Sequence, residues 1–164
     1  MIQSLLECGV SLDFGEVGIA VAEDELPVLF STANAFSRQE KSGASQLLKV
    51  AASRGAKVRI LVPLDNPKTE DRIQKLREEE ENPEIDIRDI KKPLQTKLTT
   101  MIVNQKSSLT VELKDDSRET SDEAMGLATY SNSEATVFSY VSIFKNLWNQ
   151  TQIHKRRRHE EAAA

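Results

Sequence analysis

The side chains that could act as nucleophiles or general bases are few, and they lie far apart in this sequence. The histidines are His154 and His159, both within the last eleven residues, and the single cysteine, Cys8, lies near the start. A serine or cysteine nucleophile needs an imidazole or another base within hydrogen-bonding distance. Because neither histidine lies in an apolar segment, we expect no catalytic residues. Cys8, between Leu6 and Val10, is expected to be a small buried hydrophobe.

Metal and phosphate chemistry also lack their usual residue patterns. The sequence has no cysteine pair, no histidine pair on a helical face, and six glycines scattered along the chain rather than grouped in a phosphate-binding loop. Asp115 and Asp116 are adjacent carboxylates, which we expect to be solvated rather than to hold a cation. The sequence therefore predicts no metal and no cofactor.

Composition limits the class of protein further. The 164 residues fit one domain, with 38% hydrophobic and 29% charged residues. No apolar run approaches the ~20 residues of a membrane helix. No basic segment precedes an apolar stretch, so no signal peptide is predicted, and the lone cysteine is typical of a cytoplasmic protein. The net charge of −4 argues against a nucleic-acid partner, and the basic run at 155–158 is interpreted as a solvated helix end or linker.

The first half of the chain has the spacing of a β-α-β unit. Residues 26–30 form an apolar run with a proline near its start, which predicts a strand. Residues 37–40 match a capping box and predict a helix that ends at Gly55. Residues 58–62, ended by Pro63, predict the next strand. Two strands joined through a helix favour parallel pairing with a right-handed crossover.

The same order of elements continues through the second half. A second helix is expected to open near Asp65, with Ile73 and Leu76 pointing inward, and residues 85–90 alternate as a half-buried strand does. Three further strands are predicted at 98–103, 109–113 and 126–130, the first two joined by a hairpin-length connection. The last helix is capped by residues 131–134 and carries an apolar stripe: Val137, Val141, Phe144 and Trp148.

These elements predict an α/β fold, a three-layer sandwich in which a mostly parallel mixed sheet is flanked by helices. We expect three regions: a helical or irregular segment at 1–25, the α/β domain at 26–153, and a linker with a vector-like alanine tail at 154–164.

Polar side chains follow the first two predicted strands. Ligands of open α/β sheets bind at the carboxyl ends of parallel strands. Thr32, Asn34, Arg38 and Asp65 are therefore the candidate ligand-binding residues. The alternative is that Asn34 and Ser37 merely shape a turn and cap a helix.

Several motifs resemble a known group of sensor domains. They are GLATYSNS at 126–133 followed by SYVSIF at 139–144 and Leu147-Trp148, with TANAF at 32–36, RQEK at 38–41, VRILVP at 58–63 and VELKDD at 111–116. Together they resemble the sensor region that precedes the kinase core in multi-sensor signal-transduction histidine kinases, mainly archaeal. The layout also resembles the phospholipase D-like fold, which some sugar-responsive archaeal transcription regulators use as an effector-binding domain.

The phospholipase D comparison can be made residue by residue. The catalytic signature of that family is a histidine, a lysine two residues later and an aspartate five residues after the lysine. The aligned positions here are Lys97, Thr99 and Asn104, so all three signature residues differ. Without an imidazole no phosphohistidine intermediate can form. The resemblance thus implies a phospholipase D-like fold without its catalytic signature.

The resemblance implies a non-catalytic sensory or regulatory domain of a histidine kinase in the two-component class. It would receive an unknown small-molecule or protein signal and pass it through its last helix to a downstream kinase region. This domain would not be an enzyme, whereas the full-length parent would be an ATP-dependent protein histidine kinase, a transferase. A weak homodimer through the last helix is expected. The alternatives are the effector domain of a transcription regulator and, less favoured, a degenerate phosphodiesterase.

Overall fold

One mixed sheet with helices on both faces forms the part of the chain that the computed structural model describes, residues 22–64, 67–91 and 96–163, with side chains through residue 151. The strands are β1 Glu25–Leu29, β2 Lys57–Pro63, β3 Ile85–Ile90, β4 Leu98–Val103, β5 Ser107–Leu113 and β6 Met125–Ser131. The helices are α1 Ala33–Lys41, α2 Ala44–Ser53, α3 Pro67–Glu79, α4 Ser121–Ala124 and α5 Glu134–Ala163. Most of the segment predicted at 1–25 lies outside the described residues.

The sheet has the strand order β3-β2-β1-β4-β5-β6. β1, β2 and β3 are parallel, whereas β1 pairs with β4, β4 with β5 and β5 with β6 in antiparallel fashion. The predicted α/β sandwich and its mixed sheet are confirmed, but parallel pairing is confined to the first three strands. β4 and β5 are antiparallel because a short turn joins them, in which Asn104 and Gln105 both have positive φ, 53° and 56°, as in a type I′ hairpin turn.

The pairing register brings two distant segments to one edge of the sheet. Leu29 at the end of β1 pairs with Thr100, and Leu98 at the start of β4 pairs with Glu112 near the end of β5. The residues that follow β1 and the residues that follow β5 therefore leave the sheet at the same edge. This edge is the carboxyl end of the parallel strands.

Helices α1, α2 and α3 cover one face of the sheet. Leu26, Val28 and Phe30 alternate along the first strand and its continuation and are all buried in this layer. Phe36 of α1 packs edge-on against Phe30, with ring centroids 5.3 Å apart. Ile73 of α3 is buried here as predicted, and Leu76 packs against the same core.

Helix α5 covers the opposite face. Phe144 and Trp148 are buried against Leu29 and Leu61, so the predicted apolar stripe is confirmed. The two rings stack at 5.6 Å, and the guanidinium of Arg88 lies 3.9 Å from the centroid of Trp148, a cation–π contact. The helix continues through the predicted linker to Ala163, since the Lys, Arg, Glu and Ala residues beyond 154 favour helix.

The start of the first helix differs from the capping-box prediction. α1 begins five residues earlier than a Ser37 cap requires. Thr32 is the N-cap, because its hydroxyl accepts a hydrogen bond from the amide of Ala35 at 3.0 Å. Gly43, at φ 94°, then ends α1 and separates it from α2. Ser37 thus lies inside α1, whereas the predicted helix end at Gly55, with φ 96°, is confirmed.

None of the helices that the structure describes between residues 22 and 163 is both long enough and apolar enough to cross a lipid bilayer.

Replacing Trp148 should remove the main anchor of α5. We expect Trp148→Ala to lower the free energy of unfolding by about 3–5 kcal/mol, because the indole is 6% exposed and fills the layer between α5 and the sheet. Phe138→Ala is the matched control, since that ring lies on the same helix and is 70% exposed. Urea denaturation measures both, and equal effects of the two substitutions would contradict the role given to Trp148.

Candidate binding site

Three of the four residues predicted to bind a ligand converge on one carboxylate, that of Asp116. Thr32 donates its hydroxyl to Oδ1 at 3.0 Å, and Asn34 donates its amide nitrogen Nδ2 to Oδ2 at 3.2 Å. Arg38 donates from NH2 to Oδ1 at 2.8 Å. We refer to Thr32, Asn34 and Arg38 as the cradle. The fourth predicted residue, Asp65, lies outside the described residues.

The cradle is built by the first two turns of α1. Thr32 caps the helix, and its oxygen accepts from the amide of Ala35 while the hydroxyl proton is directed to Asp116. Asn34 and Arg38 are four residues apart and so lie on one side of the helix. The helix carries no acidic residue in its first turn, so the partial positive charge at its N-terminus also favours the Asp116 carboxylate.

Arg38 is the buried member of the cradle. Its side chain is 7% exposed, whereas that of Asp116 is 31% exposed. The other guanidinium nitrogen, NH1, donates to the backbone oxygens of Asp116 at 3.1 Å and Arg118 at 3.4 Å. A buried cation is strongly unfavourable without an anionic partner and further hydrogen-bond acceptors. Arg38 therefore binds the 114–120 loop at the Asp116 side chain and at two backbone oxygens.

The loop has an internal framework that presents Asp116. Asp115 accepts from the amide of Ser117 at 3.1 Å, from its hydroxyl at 2.6 Å, and from Nε of Arg118 at 3.0 Å. These bonds, those from Ser117 first, hold the pKa of Asp115 below its ordinary value of 3.8. The adjacent carboxylates predicted to be merely solvated thus have separate roles, one shaping the turn and the other occupying the cradle.

An open groove of about 750 Å³ lies beside the cradle. Asn34, Arg38 and Asp116 line it together with residues of α1 and of the loop. Two residues of the predicted site, Asn34 and Arg38, therefore lie along an open groove.

The three positions aligned with the phospholipase D signature have different environments. Thr99 is buried, and its hydroxyl accepts from the amide of Ser31 at 3.1 Å and lies 3.1 Å from the Ser31 hydroxyl. The cavity beside Thr99 has a volume of only about 20 Å³. Lys97 is exposed at the start of β4. Asn104 lies at the opposite edge of the sheet, where its Oδ1 accepts from the amides of Glu23 and Asp24.

Comparison with known proteins supports the fold and little beyond it. No protein-family model matches the chain, and no curated protein sequence matches it. Among solved structures, Nuc of Salmonella typhimurium, a phospholipase D family member, is similar over 82% of this chain and 84% of its own, with a TM-score of 0.56 and 16% identity. TrmBL2, an archaeal chromatin protein, is similar over 90% of this chain, with a TM-score of 0.54 and 15% identity.

The first of these similarities confirms the phospholipase D-like α/β fold. The second corrects one expectation. TrmBL2 is a DNA-binding protein, so the exclusion of a nucleic-acid partner on the basis of net charge is wrong. A net charge averages over the whole surface and does not report where cations lie. This chain spans about half of TrmBL2, 49% of its length.

The sequence analysis predicted the three residues of the cradle but not the Asp116 carboxylate that binds to them. The carboxyl-edge rule located Thr32, Asn34 and Arg38 because it depends only on strand order. Asp116 comes from the far end of β5 and needs the antiparallel register to reach the same edge. The sequence did contain one signal for this contact. Asp115 and Asp116 are adjacent carboxylates that directly follow a predicted strand.

Loss of the Thr32 hydroxyl should destabilise the protein more than loss of the Ser37 hydroxyl. We expect Thr32→Ala to lower the free energy of unfolding by about 1–2 kcal/mol, because it removes the N-cap of α1 and one bond to Asp116. Ser37→Ala lies inside the helix and should change it by less than about 0.5 kcal/mol. Thr32→Ser, which keeps the hydroxyl, is the control in the same urea series. A larger effect at Ser37 would contradict the observed cap.

Proposed function

We propose that this chain is a non-catalytic sensory domain of a signal-transduction histidine kinase that passes its signal through α5. The observation that carries the proposal is the length of that helix. Its 30 residues span about 45 Å, whereas a six-residue strand such as β4 spans about 20 Å. A helix that only covered this sheet would need about half of that length. In this proposal the rest of the helix connects the domain to the kinase region.

Packing across β1 supports a link between the cradle and α5. Leu29 packs on Phe144 and Trp148, and three residues later Thr32 holds Asp116. The next residue after Leu29, Phe30, lies on the opposite face of the sheet and packs against Phe36 of α1. A shift of α1 relative to the sheet would thus act on both sides of one short segment, 29–32.

The environment of Thr99 supports the non-enzymatic part of the proposal. The threonine is tied to Ser31, and about 20 Å³ holds roughly one water molecule rather than a phosphodiester. Lys97 replaces the nucleophilic histidine of the phospholipase D signature. In this proposal the domain carries no catalytic step, and the phosphotransfer belongs to an ATP-dependent kinase region of the parent protein.

The second candidate is the effector domain of a DNA-binding transcription regulator. The similarity to TrmBL2 over 90% of this chain favours it, and a nucleic-acid partner enters with it. The two candidates differ in the neighbouring sequence. A dimerisation helix and an ATP-binding region after α5 support the kinase, whereas a winged helix before residue 22 supports the regulator. Sequencing the genomic locus on both sides separates them.

The chain should not hydrolyse phosphodiesters. We expect purified protein to release no p-nitrophenol from bis(p-nitrophenyl) phosphate above the buffer blank, because Lys97, Thr99 and Asn104 replace the signature. Lys97→Ala is measured beside it to recognise a contaminating activity. Turnover in the native chain that disappears in Lys97→Ala would overturn the non-enzymatic proposal.

Rotation of α5 should change the output of an attached kinase. The experiment fuses the chain in helical register to the dimerisation helix of a histidine kinase and measures autophosphorylation. Inserting one residue at the junction rotates the helix by about 100°, and we expect a several-fold change in rate. Seven inserted residues, about two turns, should restore the starting rate.

The same fusion tests whether the anchor of α5 carries the signal. Trp148→Ala should abolish the dependence on the inserted residues, while Phe138→Ala on the exposed side of the helix should leave it intact. Equal rates in every insertion and variant would show that the domain does not act on the kinase through α5.

A further inference from the structure

We propose that the cradle is a binding site for an external carboxylate or phosphate, and that Asp116 is a built-in competitor which such an anion displaces. The inference rests on the proposed sensory function, because it names the ligand class of that function. Displacement would remove the side-chain bonds between Asp116 and α1 and leave the bonds from Arg38 to the loop backbone. Its test measures binding alone, so it can fail independently of the kinase connection.

The donors are arranged for an anion with two or more oxygens. Two of them, the Thr32 hydroxyl and NH2 of Arg38, bind one oxygen of Asp116, and the Asn34 amide binds the other. All three atoms donate hydrogen bonds to the site. A charged guanidinium, a hydroxyl, an amide and the N-terminus of α1 together select an anion over a neutral ligand.

The anion that now fills the cradle is held by a loop and not by a helix or a strand. Asp116 lies in the irregular segment between β5 and α4, and its side chain is 31% exposed. Arg38, by contrast, is 7% exposed and belongs to α1. The buried cation therefore has a fixed position, while its partner can leave toward solvent and be replaced by an anion entering from the groove.

The charges around the groove favour this exchange. Three cations and three anions line it: Arg38, Lys41, Arg118, Asp116, Glu119 and Asp122. Arg118 is already paired with Asp115, so Arg38 is the cation that loses its partner when Asp116 leaves the cradle. A second anion is therefore attracted to the position that Asp116 leaves.

Leaving the cradle does not require the turn to collapse. The bonds of Asp115 to Ser117 and Arg118 lie within the loop and do not involve the cradle. Arg38 also holds the backbone oxygens of Asp116 and Arg118, so displacement of the side chain weakens the hold of α1 on the whole loop. Binding of a small anion would thus weaken, without breaking, the attachment of the loop to α1.

An internal competitor determines what a binding experiment should show. A tethered group acts at an effective concentration in the millimolar range or above, so the native chain should bind small anions weakly. Removing the competitor exposes the full affinity of the cradle. We expect the Kd for inorganic phosphate, followed by NMR titration of the α1 amides, to fall by about tenfold or more in Asp116→Ala.

Glu119→Ala is the charge-matched control. Glu119 lines the same groove and carries the same charge, so its removal changes the general electrostatics without vacating the cradle. Asn34→Ala in the Asp116→Ala background should weaken binding several-fold, since it removes one donor at an exposed position. Asp116→Asn, which keeps the side-chain shape, is measured in parallel and should also bind more tightly than the native chain.

Three probes separate the ligand classes. Phosphate and acetate distinguish a phosphorylated from a carboxylated ligand, and glucose represents a neutral one. Equal gains in Asp116→Ala and Glu119→Ala, no anion binding to folded Asp116→Ala or Asp116→Asn, or glucose binding that needs the cradle would each overturn the proposal. Anion binding combined with an inert kinase fusion would refute the sensory connection and leave the anion site standing.

Discussion

A buried guanidinium that needs an anion is the constraint on which this edge of the molecule depends. Arg38 belongs to the half of the domain built from parallel strands, and Asp116 follows the antiparallel hairpin, 78 residues further along the chain. The ion pair joins these two halves beyond the ends of β1 and β5, where no strand pairing connects them. Since an unpaired cation at this depth is strongly unfavourable, the position of the loop follows from the position of α1.

The same edge shows what fills one of the aligned signature positions in this phospholipase D-like fold. The position of the signature lysine is held by Thr99, whose hydroxyl and that of Ser31 satisfy each other inside the sheet edge. Two short hydroxyls close the space that a longer charged side chain would need. The donors of the cradle lie on α1 at the same edge, one helix away from β4.

Much of the fold could be predicted because its signals are local. The apolar runs, the alternation of residues 85–90 and the stripe ending at Trp148 each depend on neighbouring residues, and the structure has strands or helices at all three. The carboxyl-edge rule likewise found Thr32, Asn34 and Arg38. Two features were not accessible. The Asp116 contact depends on the register across β4 and β5, and the start of α1 depends on Thr32 rather than Ser37 acting as the cap.

Leu29 and Phe30 connect the edge of the sheet that carries the cradle with the layer of α5. Successive residues of an extended strand point to opposite faces, so Leu29 enters the layer of Phe144 and Trp148 while Phe30 enters the layer of Phe36. Trp148 in turn contacts the ring of Phe144 and the guanidinium of Arg88. Because protein interiors are close-packed, the proposed sensory function would have a short route across the sheet, from α1 at the cradle to the long helix.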